Sequence, residues 1–484
     1  MTKIVLNGVE TEVDGSKPLI HACHMAGLDV PMYCYHPGLS PVGSCRICQV
    51  EVKQGEAPAR VVVACRTPVS EGMVVNSDAP KARETRRECL EFLLKNHPLD
   101  CPICDKAGEC DLQDYAFAEG QGEGRSNEPR RQLEKRKSLG DTIVLDEERC
   151  IQCSRCVRFF EEVTGKAQLC VAQRGSHAVI ETFPGRDLGG NYQGNVADLC
   201  PVGALTLKPF RFAARVWNLS KVASTCVECS RGCASTVEVL RDDAVKRFRP
   251  RYDADVNQWW MCDQGRFAFA GANPSERLQG AIERGSSGGP ALGRHAALGS
   301  AREKLQLHTP PAIVLSPFAT REEAAAARDL AEACSADLLF VSPPPNGLQD
   351  DLLHTGDPCP NRRGLESLGV PGVSPQDLVE RLAAAKPALL VGERVAELIG
   401  AEVLAALPSS LRAVVFDVRA SDAPCVFECI GIANYVEKAG TFENVDGHVR
   451  KLLPARTMPK GVSLLTTLLA RLTANLRTPA ALER

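Results

Sequence analysis

The chemistry available to this sequence is concentrated in sulfur. Of its 22 cysteines, 18 lie within residues 1–262, and 15 of these join one histidine in four spaced groups. The first group is Cys34, Cys45, Cys48 and Cys65, spaced C-x10-C-x2-C-x16-C. The second is His97, Cys101, Cys104 and Cys110, H-x3-C-x2-C-x5-C. The third is the run Cys150, Cys153 and Cys156, C-x2-C-x2-C, completed by a remote Cys200-Pro201. The fourth is Cys226, Cys229, Cys233 and Cys262, C-x2-C-x3-C-x28-C. Each group offers four soft donors, the set that a tetrahedral metal ion or an iron–sulfur cluster requires. Cys23, Cys89, Cys170, Cys334, Cys359, Cys425 and Cys429 fall outside the groups and read as small hydrophobes without a metal role.

The spacings point to clusters of different kinds. Between Cys34 and Cys45 the loop YHPGLSPVGS is rich in Gly, Pro and Ser. Small residues let a chain wrap a cluster and bring backbone N–H groups to its sulfides. A loop of this kind, between a helix and a strand, is where plant-type ferredoxins hold a [2Fe–2S] centre, although their spacing is C-x4-C-x2-C. The second group has three cysteines and needs a fourth donor, which His97 supplies; the alternative is that His97 only ends the preceding helix. Imidazole in place of thiolate removes a negative charge and should raise the potential of that site. The third group is the bacterial ferredoxin run of a single [4Fe–4S] cubane, since Cys170 stands without companions. The fourth suits another [4Fe–4S] centre. Zinc is the alternative for the first and fourth groups, though zinc sites usually pair two short knuckles.

Composition bounds the rest. The chain has 484 residues, 44% hydrophobic and 24% charged, with net charge −3. That length suits roughly two to four domains, and the charge gives no electrostatic case for nucleic acid or an anionic membrane. No apolar run reaches the roughly 18 residues of a membrane span, and MTKIVLNGVETEV is not a secretory signal. A long chain of clustered cysteines is therefore expected in a reducing cytoplasm, with membrane contact only through partners.

The elements that must position these donors are partly readable. IVLNGVETEV predicts a hairpin turning at Asn7-Gly8. Residues 18–28 predict a helix with Ser16 near its N-cap, and RICQVEV and RVVVACR predict strands. PKARETRRECLEFLLKNH predicts a helix placing Leu90, Leu93, Leu94 and His97 on one face. Residues 119–141 and 283–295 read as connectors. Beyond the second connector the pattern alternates: AIVLSP, a helix over TREEAAAARDLAEAC with a Thr320–Glu323 capping box, DLLFVS, a helix over SPQDLVERLAAAK capped by Ser374, then PALLVGE and RAVVFDV. Such alternation predicts a parallel sheet. No P-loop or catalytic constellation stands out, and Asp417 and His448 read as solvated or structural.

The order of the four groups resembles the family of large iron–sulfur subunits of NADH-quinone oxidoreductase, the G subunit of the bacterial enzyme. CYHPGLSPVGSCRICQVEV resembles its [2Fe–2S] domain, HPLDCPICDKAGECDLQD its His(Cys)3-ligated [4Fe–4S] site, and CIQCSRCVRFFEEV with NVADLCPVGALT its next [4Fe–4S] site. From Thr225 onward CVECSRGC, MCDQGRF and EKAGTFENVDGHVR resemble the molybdopterin oxidoreductase superfamily.

The resemblance implies a multidomain α+β and α/β chain. A β-grasp [2Fe–2S] ferredoxin domain is expected at 1–78 and a His(Cys)3 [4Fe–4S] domain with its linker at 79–140. A ferredoxin-like [4Fe–4S] module is expected at 141–218, and at 219–484 a shortened molybdopterin-oxidoreductase-like domain with its [4Fe–4S] site in 219–275. It implies one [2Fe–2S] and three [4Fe–4S] clusters on the four groups. Gln264 stands where molybdopterin enzymes carry lysine, and about 220 residues follow Cys262, so no molybdopterin is expected.

The function implied is single-electron relay inside respiratory complex I. The implied partners are a flavin/NADH-binding subunit, a small [2Fe–2S] subunit and the quinone-proximal iron–sulfur subunits, on the cytoplasmic face of the bacterial inner membrane. The alternatives are the iron–sulfur part of an NAD-linked hydrogenase, which would need a second C-x2-C-x2-C-x3-C-P run, or of a formate dehydrogenase, which would need a full pterin domain.

Overall fold

The computed structural model describes residues 1–283, 298–299, 301–303, 311–384 and 387–477. The chain forms two compact units, Met1–Asn218 and Leu219–Arg484.

The first unit opens on a five-stranded sheet of β1 (Thr2–Leu6), β2 (Val9–Val13), β3 (Gln49–Lys53), β4 (Arg60–Val63) and β5 (Val74–Asn76), in the order β2-β1-β5-β3-β4. The hairpin turns at Asn7 (φ 46°) and Gly8 (φ 87°), the left-handed pair that a type I′ turn needs. Leu19, Ile20, Ala22 and Cys23 of helix Leu19–Met25 pack on Ile4, Leu6, Val50, Val52 and Val75 of the sheet, which gives the β-grasp arrangement. Ser16 does not cap this helix. Its hydroxyl donates to Asp14, 2.7 Å away, and Pro18 takes the N-cap position.

Helix Pro80–Asn96 follows, burying Ala82, Arg86 and Leu90, and Arg86 is tied to Glu119 of helix Asp111–Glu119 at 2.7 Å. The connector predicted over 119–141 is shorter than expected. Glu119 belongs to the preceding helix, and β6 (Lys137–Ser138) pairs with β7 (Ile143–Leu145). The unit is completed by the hairpin β8 (Leu169–Ala172) and β9 (Val179–Thr182), by helix Asn195–Leu199, and by β10 (Leu205–Leu207), which closes the sheet β10-β7-β6.

The second unit opens on an antiparallel sheet of β11 (Leu219–Thr225), β12 (Ala234–Leu240) and β13 (Ala244–Pro250). Its main sheet has seven strands: β14 (Ala281–Glu283), β15 (Ala312–Leu315), β16 (Asp337–Val341), β17 (Gly372–Val373), β18 (Ala388–Val391), β19 (Ala413–Asp417) and β20 (Val426–Gly431), in the order β14-β20-β19-β18-β15-β16-β17. All pairs are parallel except β14 with β20. Chain order runs outward both ways from the β15/β18 boundary, the doubly wound arrangement whose crevice lies at the strands' carboxyl ends. Helices Arg321–Cys334 and Leu465–Arg477 cover one face, and Leu378, Leu382, Val395, Ile399 and Leu404 cover the other. The Thr320–Glu323 capping box forms in both directions, and Ser374 Oγ accepts from Asp377 N at 3.2 Å. A last hairpin joins β21 (Gly440–Glu443) to β22 (Val449–Leu452). Residues 284–295 of the second predicted connector lie outside the described residues.

Candidate iron–sulfur centres

The β-grasp sheet assembles the first donor set. Cys48 stands just before β3 and Cys65 just after β4, and the pairing of these strands brings the two cysteines together: Ala64 N donates to Cys48 O at 2.8 Å. Cys34 N lies 3.4 Å from Cys45 Sγ. Cys34 and Cys48 are both held below the usual thiol range, Cys34 first by hydrogen bonding from Cys45 and Cys48 first by hydrogen bonding from Cys65. The Cys34 side chain interacts with those of Cys45 and Cys65, and that of Cys65 also with Cys48, with Arg46 left-handed (φ 60°) between Cys45 and Cys48.

In the second set, His97 is the residue that ends helix Pro80–Asn96, with extended backbone (ψ 128°), so the chain leaves the helix there toward Cys101. Its Nδ1 is buried without a hydrogen-bond partner, and burial above all pulls its pKa down to about 4. A neutral ring with an unengaged nitrogen is what a metal ligand offers. Cys101 opens a single turn, Cys101–Ile103, and Arg215 holds the next candidate donor in place by donating to Cys104 O at 2.6 Å. Arg149 lies against this site, paired with Asp100 at 2.7 Å and Asp146 at 3.2 Å.

The third set depends on two left-handed residues, Gln152 (φ 53°) and Ser154 (φ 57°), which coil the Cys150–Cys156 run into a loop. Gln152 N approaches Cys150 Sγ at 3.4 Å. Burial pushes the Cys150 thiol up to about 12 and that of Cys153 to about 11; Cys200 and the other thiols of the set add to this. Helix Asn195–Leu199 delivers Cys200, and the following loop reaches the second set. A Cβ on Gly203 would stand 2.3 Å from Cys104 Sγ. The stretch Cys200–Gly203 therefore touches both donor sets, and a small cavity of about 140 Å³ is lined by His97 and Cys150 together.

The fourth set lies at the end of β11. Cys226 N donates to Cys233 O at 2.9 Å, and Gly232 (φ 61°) makes the turn between them. Gly265 N approaches Cys262 Sγ at 3.4 Å, and a Cβ there would meet Cys226 Sγ at 2.8 Å. The β21–β22 hairpin closes over this loop. Val445 N donates to Ser230 O at 2.9 Å, Asn444 Nδ2 to Arg231 O at 3.0 Å and Arg450 Nε to Gly232 O at 3.0 Å. Nothing in the hairpin's own sequence announces this contact. Within all four sets the chemistry of the donors, the unengaged His97 nitrogen and the glycine cradles fit iron–sulfur clusters. None of the 22 cysteines forms a disulfide. Among the described residues no group of three or more donors is gathered to hold a single metal ion.

The crevice of the doubly wound sheet is acidic. A cavity of about 820 Å³ is lined by Glu228, Glu393, Glu397, Asp417 and Asp422, with Arg394 and Arg419. Burial pushes Glu393 up to about 7 and Asp417 to about 6. Asp417 is buried and accepts from Arg394 N (2.9 Å) and Val418 N (2.6 Å), so it is structural and not solvated. This carboxylate lining does not fit the phosphates of a pterin nucleotide.

Four iron–sulfur family models each cover one of the four stretches. Residues 1–80 match the family described as a 2Fe-2S iron-sulfur cluster binding domain, and 86–125 the NADH-ubiquinone oxidoreductase-G iron-sulfur binding region. Residues 140–206 match the ferredoxin-like domain of NADH-quinone oxidoreductase subunit 3, and 219–273 the molybdopterin oxidoreductase Fe4S4 domain. Among curated relatives, the NADH-quinone oxidoreductase G subunit of Rickettsia felis is 41% identical over 271 residues, 56% of this chain and 40% of that protein. Over about half its length, the chain is a homologue of the NADH-quinone oxidoreductase G subunit.

The mitochondrial NADH dehydrogenase [ubiquinone] iron-sulfur protein 1 of Solanum tuberosum is 41% identical over 286 residues, 59% of this chain and 38% of that protein. The alignments thus span about two-fifths of the length of these relatives. A solved NAD+-reducing [NiFe]-hydrogenase chain aligns at 29% identity with a TM-score of 0.40, over 44% of this chain and 91% of that one. Sequence reasoning named sixteen candidate donors but gave no part to Gly203 and Gly265, or to Arg155 and Arg158, which donate to the backbone carbonyls of Tyr35 and Cys34. The only local signals were the basic pair inside CSRCVR and a glycine three residues after Cys200 and Cys262.

Proposed function

We propose that this chain is the electron-transfer subunit of an NADH:quinone oxidoreductase, respiratory complex I. It relays single electrons from an NADH/FMN subunit toward quinone, and in the whole complex this is coupled to proton translocation. The observation that carries the proposal is the order of four donor sets along one chain, each inside a matching iron–sulfur domain. Cys34, Cys45, Cys48 and Cys65 hold a [2Fe–2S] cluster. His97, Cys101, Cys104 and Cys110, then Cys150, Cys153, Cys156 and Cys200, then Cys226, Cys229, Cys233 and Cys262, each hold a [4Fe–4S] cluster. Such clusters supply one-electron redox chemistry when bound. The chain's own contribution is to fix the donors, bury them and set their charge environment.

The four domains are proposed at 1–78, 79–140, 141–218 and 219–484. The last is a relic of a molybdopterin domain, and its acidic crevice and Gln264 argue that it carries no pterin. The chain has no complete active site of its own. Its partners are the flavin and small [2Fe–2S] subunits and the quinone-proximal iron–sulfur subunits. Among the described residues no helix is long and apolar enough to cross a membrane, in keeping with a peripheral place on the cytoplasmic face.

The test is NADH-to-quinone turnover in membranes, normalised to assembled complex. Cys153→Ser is expected to abolish turnover. Cys229→Ser is expected to reduce assembly while sparing turnover per complex, since the relic unit offers no evident electron acceptor. Full turnover with Cys153→Ser would remove the relay reading. Metal analysis of the same preparations should give about 14 iron atoms per chain and no molybdenum or tungsten; about ten iron atoms would mean an empty or zinc-filled cubane site.

A further inference from the structure

Two buried arginines, Arg155 and Arg158, join the first donor set to the third. They lie on the short helix Arg155–Arg158, which starts inside the Cys153–Cys156 loop and continues as a π-helical turn, Phe159–Val163. π-helical turns of this kind concentrate at functional sites. Arg158 Nη2 donates both to Cys34 O, the carbonyl of a first-set ligand, and to Cys153 O, the carbonyl of a third-set ligand, 3.3 Å away. Its Nη1 donates to Ser40 O at 2.6 Å. Arg155 repeats the arrangement one turn earlier, donating to Tyr35 O at 2.6 Å and to Leu199 O, next to Cys200, at 3.1 Å. Each guanidinium therefore spans the two loops.

Their charge is the second observation. Arg155 and Arg158 are 5% and 6% exposed, yet neither forms an ion pair with a carboxylate among the described residues. Apart from Ser154 Oγ, 3.3 Å from Arg158 Nε, every acceptor they have is a neutral backbone carbonyl. Glu162 reaches the same loop, at Ser40 N, 2.7 Å away, but is exposed and so largely screened. Buried cations without counter-charges are costly. A four-thiolate iron–sulfur centre carries net negative charge and gains more on reduction, so it can be the missing partner.

Resting on the proposed cluster assignment, we infer that Arg155 and Arg158 are positioning residues that fix the spacing of the [2Fe–2S] loop and the Cys150/Cys153/Cys156/Cys200 loop and raise the reduction potentials of both centres. A positive charge held between two centres favours the reduced form of each. A neutral replacement must move both potentials in the negative direction.

The experiment is a redox titration, followed by electron paramagnetic resonance, on the full chain purified anaerobically with its clusters. In Arg158→Gln, at the wild-type midpoint potential, the reduced-to-oxidised ratio of each of the two centres should fall about tenfold, equivalent to about 59 mV for a one-electron couple. Arg155→Gln should act in the same direction. Arg158→Lys, which keeps the charge, should recover most of the shift. The signal from the Cys226 set, which neither arginine touches, should not move. Unchanged potentials with both signals intact, or a shift confined to one centre, would overturn the inference. Loss of either signal in both Arg158→Gln and Arg158→Lys would also overturn it, because the guanidinium would then serve the fold alone. The outcome is separable from the relay reading, since clusters with unshifted potentials would leave that reading intact.

Discussion

Replacing Gly203 by alanine should remove one cluster while leaving its neighbour. Gly203 is not among the left-handed glycines, so alanine meets no backbone penalty there and the whole effect is steric. The new Cβ would stand 2.3 Å from Cys104 Sγ, 3.3 Å from Lys106 Cβ and 3.5 Å from Arg149 Cδ. Ordinary contact needs about 3.5–4.0 Å, so the sulfur must withdraw by more than about 1 Å. The surroundings cannot give way easily: Arg149 is held by Asp100 at 2.7 Å, and Lys106 Nζ by Ala197 O at 3.2 Å. Metal–ligand distances tolerate only about 0.2 Å, so Cys104 cannot both avoid the methyl group and remain a ligand. The expected result is loss of about four of the roughly 14 iron atoms and of the signal belonging to the His97 set, with the other signals kept. Overpacking should also cost about 1–3 kcal/mol, read as a lower Tm by about 2–4 °C for each kcal/mol. Gly122, with nothing within 4 Å of its own Cβ position, provides the neutral alanine control. A Gly203→Ala chain with full iron and an unaltered His97-set signal would refute the close approach of these two loops.

Two further outcomes follow from buried titratable groups. His97→Cys should keep a cluster but lower its potential, because thiolate adds the negative charge that imidazole lacks; His97→Ala should lose the cluster, and unchanged spectra in both would show that His97 is no ligand. Glu393 is raised to about 7 by burial, so the folded state holds its proton more tightly than the unfolded state. The stability this lends is present below the ordinary carboxylate value and is lost as pH rises through about 7, by about 3 kcal/mol. Glu393→Gln should flatten that part of a denaturation profile taken from about pH 5 to about pH 8, and a Gln variant with the wild-type slope would show that Glu393 is not its source.

What the sequence disclosed follows from how local each interaction is. The sixteen candidate donors stood out because thiolate and imidazole are the usual ligands of iron–sulfur clusters, and spacing groups them. The strand–helix alternation after Ala312 was legible because periods of 2 and 3.6 mark amphipathic elements, and the Thr320–Glu323 box because its two hydrogen bonds close within one turn. Local competition already defeated one reading: Ser16 found Asp14 before it could find a helix terminus. Lys137–Ser138 was hidden inside a charged stretch because its strand is defined by its partner, β7, and not by its own pattern.

The contacts that relate one donor set to another were not legible at all, for a specific reason. Arg158 reaches across 124 residues to Cys34, and Arg155 across 120 to Tyr35. Their acceptors are backbone carbonyls, which every residue carries. A carbonyl leaves no mark in the identity of its residue, so only the donor half of each link is written in the sequence, as an arginine indistinguishable from a solvated one. The burial of that arginine without a carboxylate is what separates the two cases. It becomes visible only when the loops bearing Cys34 and Cys153 have been folded against each other, which is why candidate ligands can be proposed from spacing and the charge held between them cannot.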